Sequence, residues 1–129
     1  QLLLYPVTDL HLQKDSIDEC AEGFFLTKAA MEWFRNHYLN SLDEMEDPFV
    51  SPLLAEDLSD LPPAVVSTAG FDPLRDEGNE YAKKLSAAGN KVFHQENHGF
   101  IHGFASMGYI PGVPQVLEEI CTNFKEMMQ

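Results

Sequence analysis

Two residues of this chain stand where acid–base chemistry is commonly held. Asp72 follows the β-branched run Ala64-Val65-Val66-Ser67-Thr68-Ala69 by a few positions, and His102 follows the run from Lys91 to Gln95 after a glycine-rich turn. A carboxylate beside an imidazole fixes the ring's tautomer and stabilises the imidazolium, which lets the ring take a proton from a hydroxyl nucleophile that is weak by itself. An Asp and then a His, each after its own strand, is the second half of a Ser…Asp…His chain order. Spacing alone leaves other readings open. Asp72-Pro73 is also a common loop and helix-start dipeptide, and His102 could be a turn residue without a chemical role. His94, His98 and His102 are four apart and would line one face of a helix as metal ligands, but Gly99 and Gly103 oppose a helix and 93–95 reads as strand.

The elements that must position these residues alternate. Residues 2–5 form a short apolar run closed by Pro6, as in a strand buried on both faces. Residues 8–22 read as irregular and polar. The spacing of Met31, Phe34 and Tyr38 predicts a helix over 27–39 with Thr27 as its N-cap. Residues 40–63, acidic and then proline-rich, read as connecting chain. A second strand over 64–69 is broken by Gly70 and followed by a helix over 74–88, whose Gly78, Ala82 and Leu85 form a small-residue face. Gly89 stands at the place of a left-handed C-terminal cap. A third strand over 91–95, a turn over 97–103 and an apolar-striped helix over 113–128 complete the chain, with Pro114 tolerated in the first turn. Strand–helix alternation implies an α/β fold with about three parallel strands joined by right-handed crossovers and flanked by helices. Ligands of such sheets bind beyond the strands' C-terminal ends, where Asp72 and His102 lie.

The bulk properties narrow the partners. A formal net charge of −13 argues against nucleic acid, which needs clustered Lys and Arg, and against an anionic membrane surface. No apolar run approaches a membrane span, and no signal-peptide pattern is visible. Cys20 and Cys121 are far apart and in no CxxC pairing, as expected of two ordinary thiols in a reducing, cytoplasmic setting. The chain opens inside an apolar run with no Met before it, and domains rarely begin within a buried strand, so upstream sequence is expected.

The stretch Ala69-Gly70-Phe71-Asp72-Pro73-Leu74-Arg75-Asp76-Glu77-Gly78, followed by Tyr81-Ala82, Leu85 and Ala88-Gly89, resembles the acid-bearing segment of the hormone-sensitive-lipase family of α/β-hydrolases. Gly99-Phe100-Ile101-His102-Gly103-Phe104 resembles that family's His-Gly-Phe element. Tyr5-Pro6, Met31-Glu32-Trp33-Phe34, Tyr38, Ser51-Pro52-Leu53 and Leu61-Pro62-Pro63-Ala64 are similar too. The resemblance implies that Asp72 is the catalytic acid and His102 the base, and it favours His102 over His98 because the apolar pair Phe100-Ile101 precedes the family's His. It also implies that residues 1–129 are the C-terminal portion of a single α/β-hydrolase domain. The first strand would match the sixth of eight, and residues 8–63 would include the helical region between the sixth and seventh strands.

The chain departs from the family in one respect. It has no Gly-x-Ser-x-Gly elbow and no His-Gly-Gly oxyanion loop; Ser106, in Gly103-Phe104-Ala105-Ser106-Met107-Gly108, has the wrong spacing. The implied activity is hydrolysis of short-chain carboxylic esters by Ser-His-Asp acyl transfer, on a small-molecule ester, with no metal or organic cofactor. The nucleophile would lie outside this chain, and the segment alone would be inactive. The competing expectation is a non-catalytic fragment or interaction domain that pairs through an exposed sheet edge, with its own missing portion or as a homo-oligomer. Arg75, Asp76 and Glu77 read as first-turn helix charges, with Arg75 paired to a carboxylate. Trp33, Phe24 and Phe25 read as core or pocket aromatics.

Overall fold

The computed structural model describes all 129 residues. Three parallel strands, β1 (Leu2–Leu4), β2 (Ala64–Phe71) and β3 (Val92–Ile101), form one sheet in the order β1-β2-β3. The central strand β2 is buried along its length except at Phe71, which explains its continuous small and β-branched composition. Alternate residues of β2 serve opposite faces. Ala64 and Val66 pack with Tyr81, Ala82 and Leu85 on one side, and Ala69 packs with Phe104 and Val113 on the other.

Four helices surround the sheet: α1 (Asp15–Glu19), α2 (Lys28–Tyr38), α3 (Arg75–Ala87) and α4 (Val113–Met127). The Thr27 side chain accepts a hydrogen bond from Ala30 N at 3.1 Å and so caps α2. Gly78 lets α3 close on the sheet, since a Cβ there would lie 2.9 Å from Thr68 Cγ2. Gly89 ends the α3 region with φ +90°. In α4, Val113 and Ile120 are buried while Cys121 is exposed, so Cys121 lies outside the buried stripe.

Three local expectations are corrected. First, β2 continues past Gly70 to Phe71, and β3 continues through the expected turn to Ile101. Ala69 pairs with Asn97 and Phe71 with Ile101, so four steps on β3 oppose two on β2. The extra residues form a bulge. Gly70 permits it, because a Cβ there would sit 2.4 Å from the His98 carbonyl oxygen. The Asn97 side chain secures it by donating to Ser67 Oγ and Thr68 O, both at 2.8 Å.

Second, the polar segment 8–22 contains α1. Ser16 docks this short helix on the start of α3: its Oγ donates to Pro73 O at 2.7 Å, and its N–H donates to Asp76 Oδ2 at 2.9 Å. Third, the connecting chain carries two 3₁₀ turns, Leu42–Glu46 and Pro52–Leu54. Neither has the length for a periodic signal.

Candidate functional site

Asp72 is fully buried one residue beyond β2. Its carboxylate has two tasks. Oδ1 accepts the N–H of Leu74 at 2.9 Å, and Oδ2 lies 2.8 Å from His102 Nδ1. The Asp72 carbonyl accepts the Arg75 N–H at 3.0 Å and opens α3. One aspartate therefore turns the chain from strand to helix and holds the imidazole, and the first task locks the rotamer needed for the second.

His102 follows β3 directly and precedes Gly103, whose φ of +81° makes the sharp turn into the buried Phe104. The Tyr5 ring lies 4.5 Å from the imidazole, centroid to centroid, and meets Phe104 edge-on at 5.6 Å. With Nδ1–H donated to the Asp72 carboxylate, Nε2 keeps its lone pair and makes no hydrogen bond within the chain. The arrangement can take a proton at Nε2 and return it.

His102 lines a cavity of about 560 Å³. Met31, Phe34 and Tyr38 of α2 form one wall, Val7 and Leu10 of the segment after β1 another, and Phe49 a third. An apolar cavity with one convergent imidazole suits a small, largely apolar ligand. The helical spacing of Met31, Phe34 and Tyr38 thus serves the cavity more than the core, since only Met31 is buried. Trp33 and Phe25 are exposed and belong to neither the cavity lining nor the core. Trp33 stacks on His37 at 4.0 Å, and Phe24 stacks on Phe71 at 5.1 Å.

The other two histidines at four-residue spacing, His94 and His98, have partners of their own. His94 Nε2 lies 2.9 Å from Asn79 Oδ1, and burial lowers its pKa. His98 is exposed, with Nδ1 2.9 Å from Glu96. Arg75 pairs with Asp76 at 2.8 Å and Glu19 at 2.7 Å.

Glu77 stands in the first turn of α3, as expected, but it faces the interior. It is fully buried, and Oε1 accepts the N–H groups of Thr8 at 2.6 Å and Asp9 at 3.0 Å. Burial outweighs those hydrogen bonds and pushes its pKa up to about 8. The signal was available, because Glu77 stands one and two turns before the buried Tyr81 and Leu85 on the same stripe. Its effect is to fasten the segment that carries Val7 and Leu10 into the cavity wall.

Known proteins are similar to this chain over most of its length. A family described as alpha/beta hydrolase fold matches residues 1–106. Carboxylic ester hydrolase LipN of Mycobacterium tuberculosis is 48% identical over 113 residues, covering 87% of this chain and 30% of that protein. Ethyl acetate hydrolase of Pseudomonas putida is 36% identical over 110 residues, covering 85% of this chain and 35% of that protein. The crystal structure of a thermostable esterase from Pseudomonas putida superposes with a TM-score of 0.94 at 41% identity, covering 100% of this chain and 42% of that one. The chain thus spans about a third of the length of these curated relatives.

Proposed function

Because this chain belongs to the α/β-hydrolase-fold family, among its hormone-sensitive-lipase-like carboxylesterases, we propose that it supplies the acid and base of a Ser-His-Asp carboxylic ester hydrolase. The observation that carries this reading is the buried Asp72 at 2.8 Å from His102 Nδ1, with Nε2 of that ring unpartnered beside an apolar cavity. In this reading residues 1–129 are the C-terminal portion of one hydrolase domain, β1 is its sixth strand, and the serine lies in a longer polypeptide.

The serine Oγ attacks the acyl carbon of a short-chain ester while His102 Nε2 takes the hydroxyl proton. The resulting imidazolium is stabilised by Asp72. His102 returns that proton to the leaving alkoxide as the C–O bond breaks. Water then attacks the acyl-enzyme, giving a proton to Nε2, and the serine leaves with that proton restored. Acid and base come from this chain, and no step draws on a metal or an organic cofactor. The second reading, a pairing module, is favoured by one observation: β1 has a neighbour only on its β2 side.

The test uses a chromogenic acetate or butyrate ester. These 129 residues alone should match a heat-killed control, and a polypeptide in which an elbow-bearing segment precedes them should turn over. In that polypeptide Asp72→Asn should lose on the order of 10⁴ in kcat through the wrong tautomer, and His102→Ala at least as much. The exposed His98→Ala should cost little. Full activity in His102→Ala would end the reading, and intrinsic turnover by this chain that depends on one of its own serines would relocate the site.

A further inference from the structure

Outside the Asp72–His102 pair, one histidine has both ring nitrogens on carboxylates. His11 Nδ1 lies 2.7 Å from Asp9 Oδ1, and Nε2 lies 3.0 Å from Glu46 Oε1. A neutral imidazole donates from one nitrogen only, whereas the imidazolium donates from both. In the neutral form one carboxylate must therefore face a ring lone pair, so the complete bridge requires the proton.

The two ends of the bridge differ in how firmly they are held. The Asp9 end is anchored: Thr8 and Asp9 donate to Glu77, Leu10 N donates to Ser51 Oγ at 3.1 Å, and Thr8 O accepts from Leu53 N at 2.9 Å. The Glu46 end belongs to the stretch from residue 40 to residue 50. Its other hydrogen bonds are local, such as Asn40 to Glu44, Asp43 to Ser41 and Phe49 to Asp47. The Glu46 contact to His11 is its one hydrogen bond across a long sequence separation. That same stretch presents Phe49 and Val50 to the cavity beside His102.

We propose that His11 is a proton-operated latch: as imidazolium it clamps the 40–50 wall of the cavity through Glu46, and on losing its proton it releases that wall. The groups around it are Asp9 from its own segment and Glu46 from the 3₁₀ turn. Glu77 of α3 lies behind Asp9, and Arg35 of α2 has its guanidinium 3.4 Å from Leu10 O. The two carboxylates raise the His11 pKa above its usual 6.5. The bridge is then fully formed below 6.5 and is lost as pH rises through that elevated value. The consequence for substrate fit rests on the esterase reading; the latch itself does not.

Amide hydrogen exchange of this chain, corrected for the intrinsic pH dependence of exchange, reads the wall directly. Protection of residues 42–50 should fall about tenfold as the His11 ring, followed by NMR, loses its proton, the scale of one hydrogen bond to a charged group. Glu46→Ala removes an exposed side chain and leaves Glu77 in place. In that variant the wall should be weakly protected at every pH, and the His11 midpoint should move down toward 6.5. Unchanged protection across the His11 titration, or a wall in Glu46→Ala as protected as in the parent at low pH, would overturn the latch. Neither readout needs turnover, so either result leaves the Asp72–His102 assignment to its own test.

Discussion

Glu77 is the residue whose replacement separates the physical arguments most cleanly. Its carboxyl is fully buried and its pKa is pushed up to about 8 from an ordinary 4.5. Between those values the folded chain holds a proton that the unfolded chain releases. Stability from protonated Glu77 is therefore complete below 4.5 and is lost as pH rises through 8, at about 1.4 kcal/mol per pH unit. Glu77→Gln keeps the acceptor for the Thr8 and Asp9 N–H groups and has no proton to lose. Its advantage over the parent should be near zero at pH 4.5 and grow to several kcal/mol by pH 8, roughly 4–5 if the whole shift is realised. That is a large share of the ~5–15 kcal/mol that holds a domain together. Glu77→Ala should behave differently. It leaves two buried N–H groups without an acceptor, at about 1–3 kcal/mol each, so it is less stable than Glu77→Gln at every pH, while its deficit against the parent is greatest at pH 4.5 and shrinks as pH rises. Urea unfolding of the three proteins at pH 5, 6, 7 and 8, followed by far-UV circular dichroism, gives both comparisons. Groups such as His11 titrate alike in all three and cancel in the differences. A gap between Glu77→Gln and the parent that stays constant with pH would refute the buried-proton argument.

Two further substitutions address the elements that carry the site. Gly70→Ala places a Cβ 2.4 Å from the His98 carbonyl, so the bulge must shift; a loss of about 1–3 kcal/mol is expected in thermal unfolding, with the His102 ring resonances displaced because β3 leads directly to that residue. Thr27→Ala removes the cap that accepts from Ala30 N and should cost about 1 kcal/mol in urea unfolding, with cavity-lining Met31 on the same helix.

The sequence by itself determined the alternation of strands and helices, the parallel sheet and the location of Asp72 and His102 past two strand ends. Each of these rests on local pattern: the small and β-branched run of β2, the 3.6-residue spacing of α2 and α4, and Gly89 at a helix end. The family resemblance added roles for the two residues, through short motifs such as Asp72-Pro73-Leu74 and His102-Gly103-Phe104. Tertiary structure decided what depends on distant neighbours. Residues 97–101 look like part of a turn because Asn and glycine favour one, yet they are strand because β2 offers the ladder and Gly70 makes room for the bulge. Ser16 and Ile17 make a helix of five residues only because α3 waits to receive it. Glu77 looks like a surface charge until the Thr8 and Asp9 amides arrive across 69 and 68 residues of chain. Glu46 and His11, 35 residues apart, carry no joint pattern at all. Burial and hydrogen-bond partnership are properties of the folded surroundings, and a residue's own spacing reports only which face of its element it occupies.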